Sequence, residues 1–269
     1  RRLEIARFNN SLRALHEQIL PGRPKTIVKV VAALPADLVY TQSFSVPNLD
    51  PEKIQESIKL NLQMLSPVTI ENAYMSSQVL KEEFDHVDVL GAFTEREKVE
   101  ELRRVFALNG FLPVIFEFPA LSLSRMLSKY LGDQNETTLL IQVSSDGIDL
   151  LINRNKSLYF DYFRSWQSIQ GDSREISRLF FEQVITTETQ KVINFSLSRF
   201  KEAPKKIFVI APGYENVIKE IIEKSFGAKA VPLQLAVYSL GSAWYVPLGC
   251  ALRAIGDYER DTSITLGAS

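Results

Sequence analysis

Apolar positions along the chain recur with two different periods, and the change of period separates its elements. Between residues 3 and 19 they fall near one face of a helix. Residues 26–34 are almost continuously apolar and β-branched, which predicts a strand covered on both faces. Residues 39–46 alternate between apolar and polar, which predicts a half-exposed strand. The chain therefore begins as a mixed α/β protein.

The rest of the chain continues this succession of helices and strands. Further helices are predicted at 51–65, 95–109, 119–131, 174–198, 214–226 and 247–255. Further strands are predicted at 74–80, 87–93, 113–118, 138–143, 148–153, 157–162, 207–211 and 230–232. Thr94 is a candidate N-cap of the helix at 95–109, and Asp172 or Ser173 of the long one. A three-stranded meander that leads into a long helix and a closing α/β unit predicts two lobes.

The amino-acid composition argues against several classes of function. The 269 residues carry 31 Lys+Arg against 32 Asp+Glu, a formal charge of −1. A balanced charge argues against a protein that binds nucleic acid through phosphate contacts, so we expect no nucleic-acid partner. One Cys excludes a disulfide scaffold and a cysteine zinc site, and two His leave little for any metal centre.

No segment predicts a membrane span or a signal peptide. The stretch at 230–252 is nearly uncharged, but prolines and glycines interrupt it. The chain starts with Arg1 and Arg2 and passes directly into the amphipathic pattern. It lacks an initiator Met, so we expect a fragment with sequence missing upstream.

Candidate catalytic groups are few. The chain contains neither a Walker phosphate loop nor a dinucleotide-binding glycine turn nor a nucleophile elbow. The acidic run at 82–85 is expected to be a solvated hairpin tip, with His86 on the surface beside it. His16 is expected near the polar side of the first helix. Cys250 lies among apolar residues and is expected to be a buried, inert thiol.

Two loops could hold a ligand, and each has an alternative. Small residues at 144–147 (SSDG) would let a phosphate approach backbone amides, but Asp146-Gly147 also suits an ordinary type I′ hairpin. Residues 211–214 (APGY) follow a buried strand, where open α/β sheets bind ligands. Pro212 removes one amide donor there, which favours an ordinary strand-to-helix loop.

Several short phrases occur in an order that resembles one family. They are 30–35 (VVAALP), 49–65 followed by 66–68 (SPV), 78–80 (QVL), 97–113 (EKVEELRRVFALNGFLP), 119–121 (PAL) and 249–253 (GCALR). The chain resembles the PilM family of type IV pilus assembly proteins. These are relatives of the cell-division protein FtsA in the actin-like ATPase superfamily. The cytoplasmic domain of the type II secretion L component is a structural cousin of this family.

The resemblance implies a two-lobed actin-like, ribonuclease H-like α/β fold. The first lobe would span 1–131 with an inserted subdomain at about 25–130, and the second lobe would span 132–269. The phrases begin after the family's first phosphate loop, so the first strands of lobe one are expected to be missing.

The resemblance also assigns two candidate nucleotide loops. The second phosphate loop, D-I-G-A in the family, would correspond to Gln142-Val143-Ser144-Ser145, and the adenosine-side G-G would be reduced to Pro212-Gly213. The candidate nucleotide-binding residues are therefore Ser144, Ser145, Gly147, Pro212 and Gly213. Because both loops depart from the family pattern, we expect no catalytic residues and no cofactor. ATP with magnesium would belong to an intact family member.

The function implied is a scaffold at the cytoplasmic face of the inner membrane. Such a protein holds the N-terminal peptide of a PilN-like membrane partner between the two subdomains of its first lobe, and links it to a motor ATPase. Residues 39–44 are a candidate edge for strand addition by a peptide. An active actin-like ATP-binding protein or ATPase is the alternative, and a sugar or acid kinase ranks last because neither a catalytic Asp nor a substrate cleft is evident.

Overall fold

Three sheets organise the part of the chain that the computed structural model describes, residues 2–131, 136–171, 176–235, 240–256 and 263–267. The helices are α1 (Arg2–Ile19), α2 (Pro51–Leu65), α3 (Arg96–Leu108), α4 (Pro119–Tyr130), α5 (Trp166–Gln170), α6 (Arg178–Phe200), α7 (Glu215–Phe226) and α8 (Tyr245–Ile255). The strands are β1 (Val28–Ala33), β2 (Val39–Pro47), β3 (Ala73–Glu82), β4 (His86–Glu95), β5 (Phe111–Glu117), β6 (Thr138–Val143), β7 (Gly147–Arg154), β8 (Ser157–Ser165), β9 (Lys206–Ile210) and β10 (Ala230–Pro232).

In the first half of the chain, one sheet is formed by residues that lie in the sequence between the two strands of another. Strands β1 and β5 pair in parallel, and the antiparallel sheet β2-β4-β3 is inserted between them in the chain. Helix α2 covers one face of the inserted sheet, where Ile58 and Leu62 pack on Val87 and Val89. The inserted sheet therefore has a small core of its own, as the predicted inserted subdomain requires.

The second half is built on a five-stranded sheet of order β10-β9-β6-β7-β8. The predicted meander of β6, β7 and β8 is antiparallel, while β6, β9 and β10 are parallel. Helices α6 and α7 bury one face, with Val192 and Ile222 among the apolar contacts. Leu123 of α4 belongs to the apolar core on the opposite face, together with Leu140 and Leu151 of the sheet. Both faces of this sheet are therefore covered.

The turns of the meander differ from the sequence expectation. Neither Asp146 nor Gly147 has a positive φ, so a type I′ turn at that position is wrong. Asn155 and Lys156 have φ of 50° and 65°, so the primed turn joins β7 to β8 instead.

The starts of two helices differ from the sequence expectation. Thr94 is a buried residue of β4, because the strand continues to Glu95, so its role as an N-cap is wrong. The long helix begins at Arg178 rather than near 174, and Ser177 accepts a hydrogen bond from the amide of Phe180. Asp172 and Ser173 lie outside the described residues.

His16 is buried rather than near the surface. It is 5% exposed, and its Nε2 lies 2.7 Å from the carbonyl oxygen of Thr26. Its ring packs edge-on against Phe111, and a Cβ on Gly110 would come within 2.6 Å of its Nε2. The side chain therefore fixes α1 against the β1–β5 sheet. His16 was expected near the polar side of α1 because helical periodicity alone does not show that the carbonyl oxygen of a distant loop can hydrogen-bond a buried imidazole.

Other sequence expectations are confirmed. The run at 82–85 is a hairpin tip in which Phe84 is fully exposed and its acidic neighbours are exposed or half-exposed. His86 lies beside it with its Nδ1 2.7 Å from Asp85. Cys250 is a free, buried thiol. Burial, followed by the nearby charge of Glu117, raises the pKa of this thiol to about 12, so it is inert as a nucleophile.

A buried ion cluster joins the end of β5 to α4 and α8. Arg125 on α4 donates two hydrogen bonds to the Glu117 carboxylate, at 2.9 and 3.0 Å. Arg253 on α8 donates a third at 2.9 Å, although its side chain is 1% exposed and that of Glu117 is 0% exposed. Ser122 donates a further hydrogen bond to the same carboxylate. Two cations and a hydroxyl thus compensate one buried anion.

The same cluster also binds residues 263–265 through hydrogen bonds. Arg253 also donates to the carbonyl oxygens of Ser263 and Ile264 and to the hydroxyl of Thr265. The amide of Leu266 then donates to the carbonyl oxygen of Phe116 at 2.8 Å. Residues 263–267 and α8 therefore pack on the first half of the fold, whereas the predicted division of the chain at residues 131 and 132 stays a prediction.

Removing the charge of Glu117 should destabilise the fold. We expect Glu117→Gln to lower the free energy of unfolding by about 3 kcal/mol at neutral pH, because two guanidinium groups lose their counter-ion. Urea unfolding followed by circular dichroism measures this. The matched control is Glu182→Gln, whose carboxylate meets exposed Arg178 and should cost less than about 0.5 kcal/mol.

The effect should also depend on pH. Burial by itself would raise the pKa of Glu117, but bonds and charge from Arg125, with bonds from Ser122 and Arg253, hold that pKa below its ordinary value. The cluster therefore stabilises the fold at neutral pH, and this contribution is lost as the pH falls through the lowered pKa. Equal losses in both variants, or no change with pH, would contradict this account.

Helices α4 and α8 cross at a glycine. A Cβ built on Gly249 would lie 2.1 Å from the carbonyl oxygen of Ser122. We therefore expect Gly249→Ala to lower the unfolding free energy by about 2 kcal/mol or more, since backbone must move to admit the methyl group. The control is Gly241→Ala, where φ is −64° and nothing lies within 4 Å of the added Cβ. If both variants unfold at the same urea concentration, the close crossing is not a constraint.

Candidate functional site

The two candidate nucleotide loops meet at one cavity of about 650 Å³ on the second lobe. Ser144, Ser145 and Pro212 contribute to its wall, whereas Gly147 and Gly213 do not line it. The fold thus brings the two loops together, because β6 and β9 are adjacent parallel strands whose carboxyl ends share one edge of the sheet.

Two backbone amides of the loop at 144–147 donate hydrogen bonds within the loop itself. The amide of Ser144 donates to the carbonyl oxygen of Gly147 at 3.0 Å, and that of Asp146 donates to the Ser144 hydroxyl at 3.2 Å. Trp166 then braces the loop, because its Nε1 donates to the carbonyl oxygen of Ser144 at 2.8 Å. Two of the donors that a phosphate would need are therefore engaged within the loop.

The packing of two strands explains why residue 147 is a glycine. A Cβ on Gly147 would lie 2.1 Å from the carbonyl oxygen of Arg164 on the neighbouring strand β8. The close approach of two strands, rather than room for a ligand, requires the missing side chain there.

The loop at 211–214 is a type II turn. Pro212 precedes Gly213, whose φ is +82°, and the amide of Tyr214 donates to the carbonyl oxygen of Ala211 at 2.7 Å. Gly213 is needed for its positive φ, and nothing lies within 4 Å of an added Cβ. The geometry is that of an ordinary strand-to-helix connection.

Aromatic side chains fill the space between the loops. The ring of Phe181 lies 6.0 Å from that of Trp166 and 6.2 Å from that of Tyr214, measured between centroids. Arg178 is the one charged residue among the described residues that line this cavity. The arrangement can stack a planar group, but none of the described lining residues is a carboxylate that could orient magnesium.

A second candidate site lies between the two lobes. Two cavities of about 710 and 690 Å³ share Ala36, Asp37, Phe163 and Ser165 in their walls. One wall is the 3₁₀ turn Ala36–Leu38 with the start of β2, and the other is the end of β8 with the loop at 144–147. Among the described residues, the charged groups that line these two cavities are all acidic: Asp37, Glu95, Asp146, Asp149 and Asp161. We call the two cavities together the acidic cleft.

Two carboxyl groups of the acidic cleft form a buried pair. Asp149 on β7 and Asp161 on β8 lie on the same face of the sheet, because Asp149 is opposite Phe163. Burial raises the pKa of Asp149. Burial, followed by the charge of Asp149 and a hydrogen bond to it, raises the pKa of Asp161 well above its ordinary value. The pair therefore retains a proton to a higher pH than two separate carboxyl groups would.

Buried acceptor oxygens mark the same place. The Oδ1 atoms of Asp149 and Asp161 and the Oε1 of Gln142 are buried, and apart from the hydrogen bond between the two carboxyl groups none has a partner within the described ranges. Gln142 pairs directly with Asp149 across β6 and β7. A proton held between the two acids satisfies part of their hydrogen-bonding capacity, so the oxygen of Gln142 is the acceptor that lacks a donor.

The predicted peptide edge at 39–44 is partly in use. Strand β2 is an edge of the inserted sheet, and Thr41 donates through its hydroxyl to the carbonyl oxygen of Asp161 at 3.2 Å. Ser43 donates likewise to the carbonyl oxygen of Tyr159, and Arg199 on α6 lies 2.6 Å from Asp88. These contacts join the lobes below the acidic cleft, and strand addition at this edge stays a prediction.

Sequence reasoning missed the acidic cleft, although a signal was present. Asp149 interrupts an otherwise apolar strand (GIDLLI), and Asp161 lies between aromatic residues (YFDYF). A lone acid in a buried strand indicates a functional or paired group. The sequence could not show that the two acids share one face, since that depends on the register of β7 and β8.

Two searches of the described residues found nothing. None of the described helices is both long enough and apolar enough to cross a membrane. Over the same ranges, no three His, Cys, Asp or Glu side chains are grouped so that they could hold a metal ion.

Solved structures share this fold. The "PilM-PilN type IV pilus biogenesis complex" matches with a TM-score of 0.71 and 16% identity, over 91% of this chain and 85% of that chain. "Cyto-EpsL", the cytoplasmic domain of an inner-membrane component of the type II secretion system of Vibrio cholerae, matches with a TM-score of 0.52 and 11% identity, over 91% and 80%. No protein-family model and no curated protein matches the sequence. The predicted likeness to PilM and the two-lobed actin-like fold are confirmed.

The buried acid pair should make stability fall as the pH rises. The folded chain keeps a proton on Asp161 at pH values where the unfolded chain, with an ordinary pKa near ~3.9, has lost it. Asp161→Asn cannot ionise, so we expect its free energy of unfolding to gain on that of the wild type as the pH rises from the ordinary pKa of an Asp towards the raised pKa of Asp161. Asp146→Asn, an exposed acid of the same cleft, is the control and should show a constant difference. A constant difference for Asp161→Asn as well would contradict the buried pair.

Proposed function

We propose that this chain is a binding scaffold of an inner-membrane platform for type IV pilus assembly or type II secretion. The observation that carries the proposal is the likeness to the PilM-PilN complex over 91% of the chain. The second likeness, to a cytoplasmic domain of a type II secretion component, supports the same class of machine. The chain would act at the cytoplasmic face of the inner membrane.

The partner proposed is a PilN-like membrane protein, whose short N-terminal cytoplasmic segment this chain would hold. The chain would connect that partner to a motor ATPase. The support is indirect: the matched structure is a complex with PilN, and sheet edges of this chain lie beside cavities large enough for an extended peptide.

The local geometry of the loops favours binding over hydrolysis. Two amides of the 144–147 loop are bonded internally, and Pro212 lacks an amide proton. Aromatic rings stand between the loops, and no described residue in that wall supplies a carboxylate. A catalyst of phosphoryl transfer needs donors and a metal ion aimed at the phosphates.

A nucleotide-binding protein is the second candidate. One observation favours it: the cavity between the loops, about 650 Å³, has the size of a small-molecule site and combines stacked rings with Arg178. In that case Ser144, Ser145 and Pro212 would contact a nucleotide, with Gly147 and Gly213 elsewhere in the same two loops.

Calorimetric titration separates the two candidates. We expect the N-terminal peptide of a PilN-like protein to bind with a dissociation constant in the range of ~1–100 μM, as a weak regulatory peptide does. A peptide of the same composition in scrambled order is the control. We expect ATP with magnesium to give no binding heat under the same conditions.

Micromolar binding of ATP with magnesium, weakened by Tyr214→Ala, would support the second candidate against the first. Equal affinity for the ordered and scrambled peptides would contradict recognition of a partner segment.

A further inference from the structure

We propose that one end of the first lobe is a docking surface for an anionic lipid bilayer. It is the end where α1 and α3 finish and where β1 and β5 begin, together with the loop at 20–27 between α1 and β1. We call residues 13–29 and 104–112 the basic end. The inference rests on the proposed function, because it names the surface through which this chain itself would meet the inner membrane.

Contacts among the described residues bring these segments together. The Nε2 atom of His16 lies 2.7 Å from the carbonyl oxygen of Thr26, and a Cβ on Gly110 would come within 2.6 Å of the same Nε2 atom. The amide of Val28 donates to the carbonyl oxygen of Gly110 at 2.9 Å, so the start of β1 lies beside the start of β5. The last turns of both helices and the loop therefore share one end of the β1–β5 sheet.

Backbone hydrogen bonds hold the loop at 20–27 in one shape. The amide of Leu20 donates to the carbonyl oxygen of His16 at 2.9 Å. The amide of Arg23 donates to Leu20 at 3.1 Å, and that of Thr26 donates to Arg23 at 3.1 Å. Two prolines in the loop restrict it further. Cations on this loop are therefore held in place, which lowers the entropy that a ligand must remove when it binds.

The charge of the basic end differs from that of the chain as a whole. Five cations lie in it against the single carboxylate of Glu17, whereas the whole chain has a formal charge of −1. All five cations are exposed, and Glu17 accepts a hydrogen bond from the amide of Gly22. The cations are Arg13, Arg23, Lys25, Lys29 and Arg104. A surface of this sign attracts the anionic head groups of a cytoplasmic leaflet.

Exposed apolar side chains lie among these cations and are an independent observation. Ile27 is 68% exposed and Leu108 is 79% exposed, and Ile19 and Leu112 are also exposed. Lys29 pairs with Leu112 across β1 and β5, so a cation and an apolar side chain are direct neighbours. Large apolar side chains that the fold leaves in water, with Lys and Arg around them, are typical of surfaces that lie in a membrane interface.

Two other occupants fit this surface less well. The basic end lines none of the three cavities described above, where a peptide could be enclosed. A twofold contact with a second copy of the chain would place the same cations opposite one another. A bilayer needs no groove, and it supplies both negative charge and an apolar interior.

The position of the basic end leaves the proposed partner site free. The inserted sheet begins after the carboxyl end of β1, and the chain returns from it at Arg96, the first residue of α3. The basic end lies at the other end of both elements, and α3 spans 13 residues, about 20 Å, between the two ends. The chain can therefore touch lipid and hold a PilN-like segment together. Two weak attachments of this kind reinforce each other.

Vesicle flotation with the intact chain tests the proposal. The probe vesicles contain phosphatidylcholine with about one third phosphatidylglycerol, as a model of an anionic leaflet. The matched vesicles contain phosphatidylcholine alone. The salt concentration is varied upward from about 0.05 M, because screening weakens a contact between exposed charges.

The charge variant removes three cations of the basic end: Arg23→Gln, Lys25→Gln and Lys29→Gln. Its control removes three exposed cations on other elements, so that the net charge is the same: Lys59→Gln, Lys224→Gln and Lys229→Gln. Because all six side chains are exposed, both variants should fold, which circular dichroism checks.

The apolar variant combines Ile27→Ser with Leu108→Ser. Its control combines Met64→Ser with Leu179→Ser, whose side chains are 83% and 77% exposed. The pair of variants separates insertion of apolar side chains from attraction between charges.

We expect the wild-type chain to bind the anionic vesicles at least about tenfold more tightly than the matched vesicles, and to bind less as salt rises. The charge variant should lose at least about tenfold in affinity and the apolar variant at least about threefold, while each control changes by less than about twofold. Equal binding to the two kinds of vesicle would overturn the proposal. So would no binding to the anionic vesicles, or equal affinity of either variant and its control.

Failure here can be told from failure of the proposed function. If the PilN-like peptide binds the chain and the anionic vesicles do not, the scaffold function stands and the lipid surface is wrong. If the vesicles bind through the basic end while the PilN-like peptide binds nowhere, the lipid surface stands and the partner is wrong.

Discussion

One buried carboxylate, Glu117, holds the ends of several elements in place. Its desolvation would be costly by itself, and two guanidinium groups and a hydroxyl offset that cost only while α4 and α8 stay together. Arg253 extends the network to the carbonyl oxygens of Ser263 and Ile264, which returns the end of the described chain to β5. Gly249 lets the two helices come close enough for these bonds. The packing of α4, α8 and residues 263–267 on β5 depends on this cluster.

The chemistry of the two cavities departs from what an actin-like ATPase needs. Between the loops, Trp166, Phe181 and Tyr214 present rings where phosphates would need donors and a metal ion. Between the lobes, the charged lining residues in the described part of the chain are all acidic, so that potential repels phosphate as well. Neither cavity is therefore suited to an anion. This chemistry supports the proposal that the fold serves here as a frame for protein binding.

The sequence predicted the elements well and the contacts between them poorly. Strand and helix periods, with Pro at helix starts, located nearly every described element, because those signals are local. Of the described helices and strands the short helix α5 was missed, and none of the three 3₁₀ turns was predicted as such. The position of Glu117 next to Arg253 depends on residues that are far apart in the chain, and no local pattern reports it. His16 was misplaced because a carbonyl oxygen from a distant loop satisfies its ring. Asp149 was visible as an acid in an apolar strand, but its partner Asp161 follows only from the strand register.

Hydrogen–deuterium exchange tests most directly the central claim that this chain binds a protein segment rather than a nucleotide. The intact chain would be compared alone, with the PilN-like N-terminal peptide and with ATP plus magnesium. The account predicts that the peptide slows exchange at backbone amides of the first lobe, those of the edge strand β2 among them, and that ATP changes nothing. Slower exchange at 144–147 and 211–214 with ATP, and none with the peptide, would contradict it.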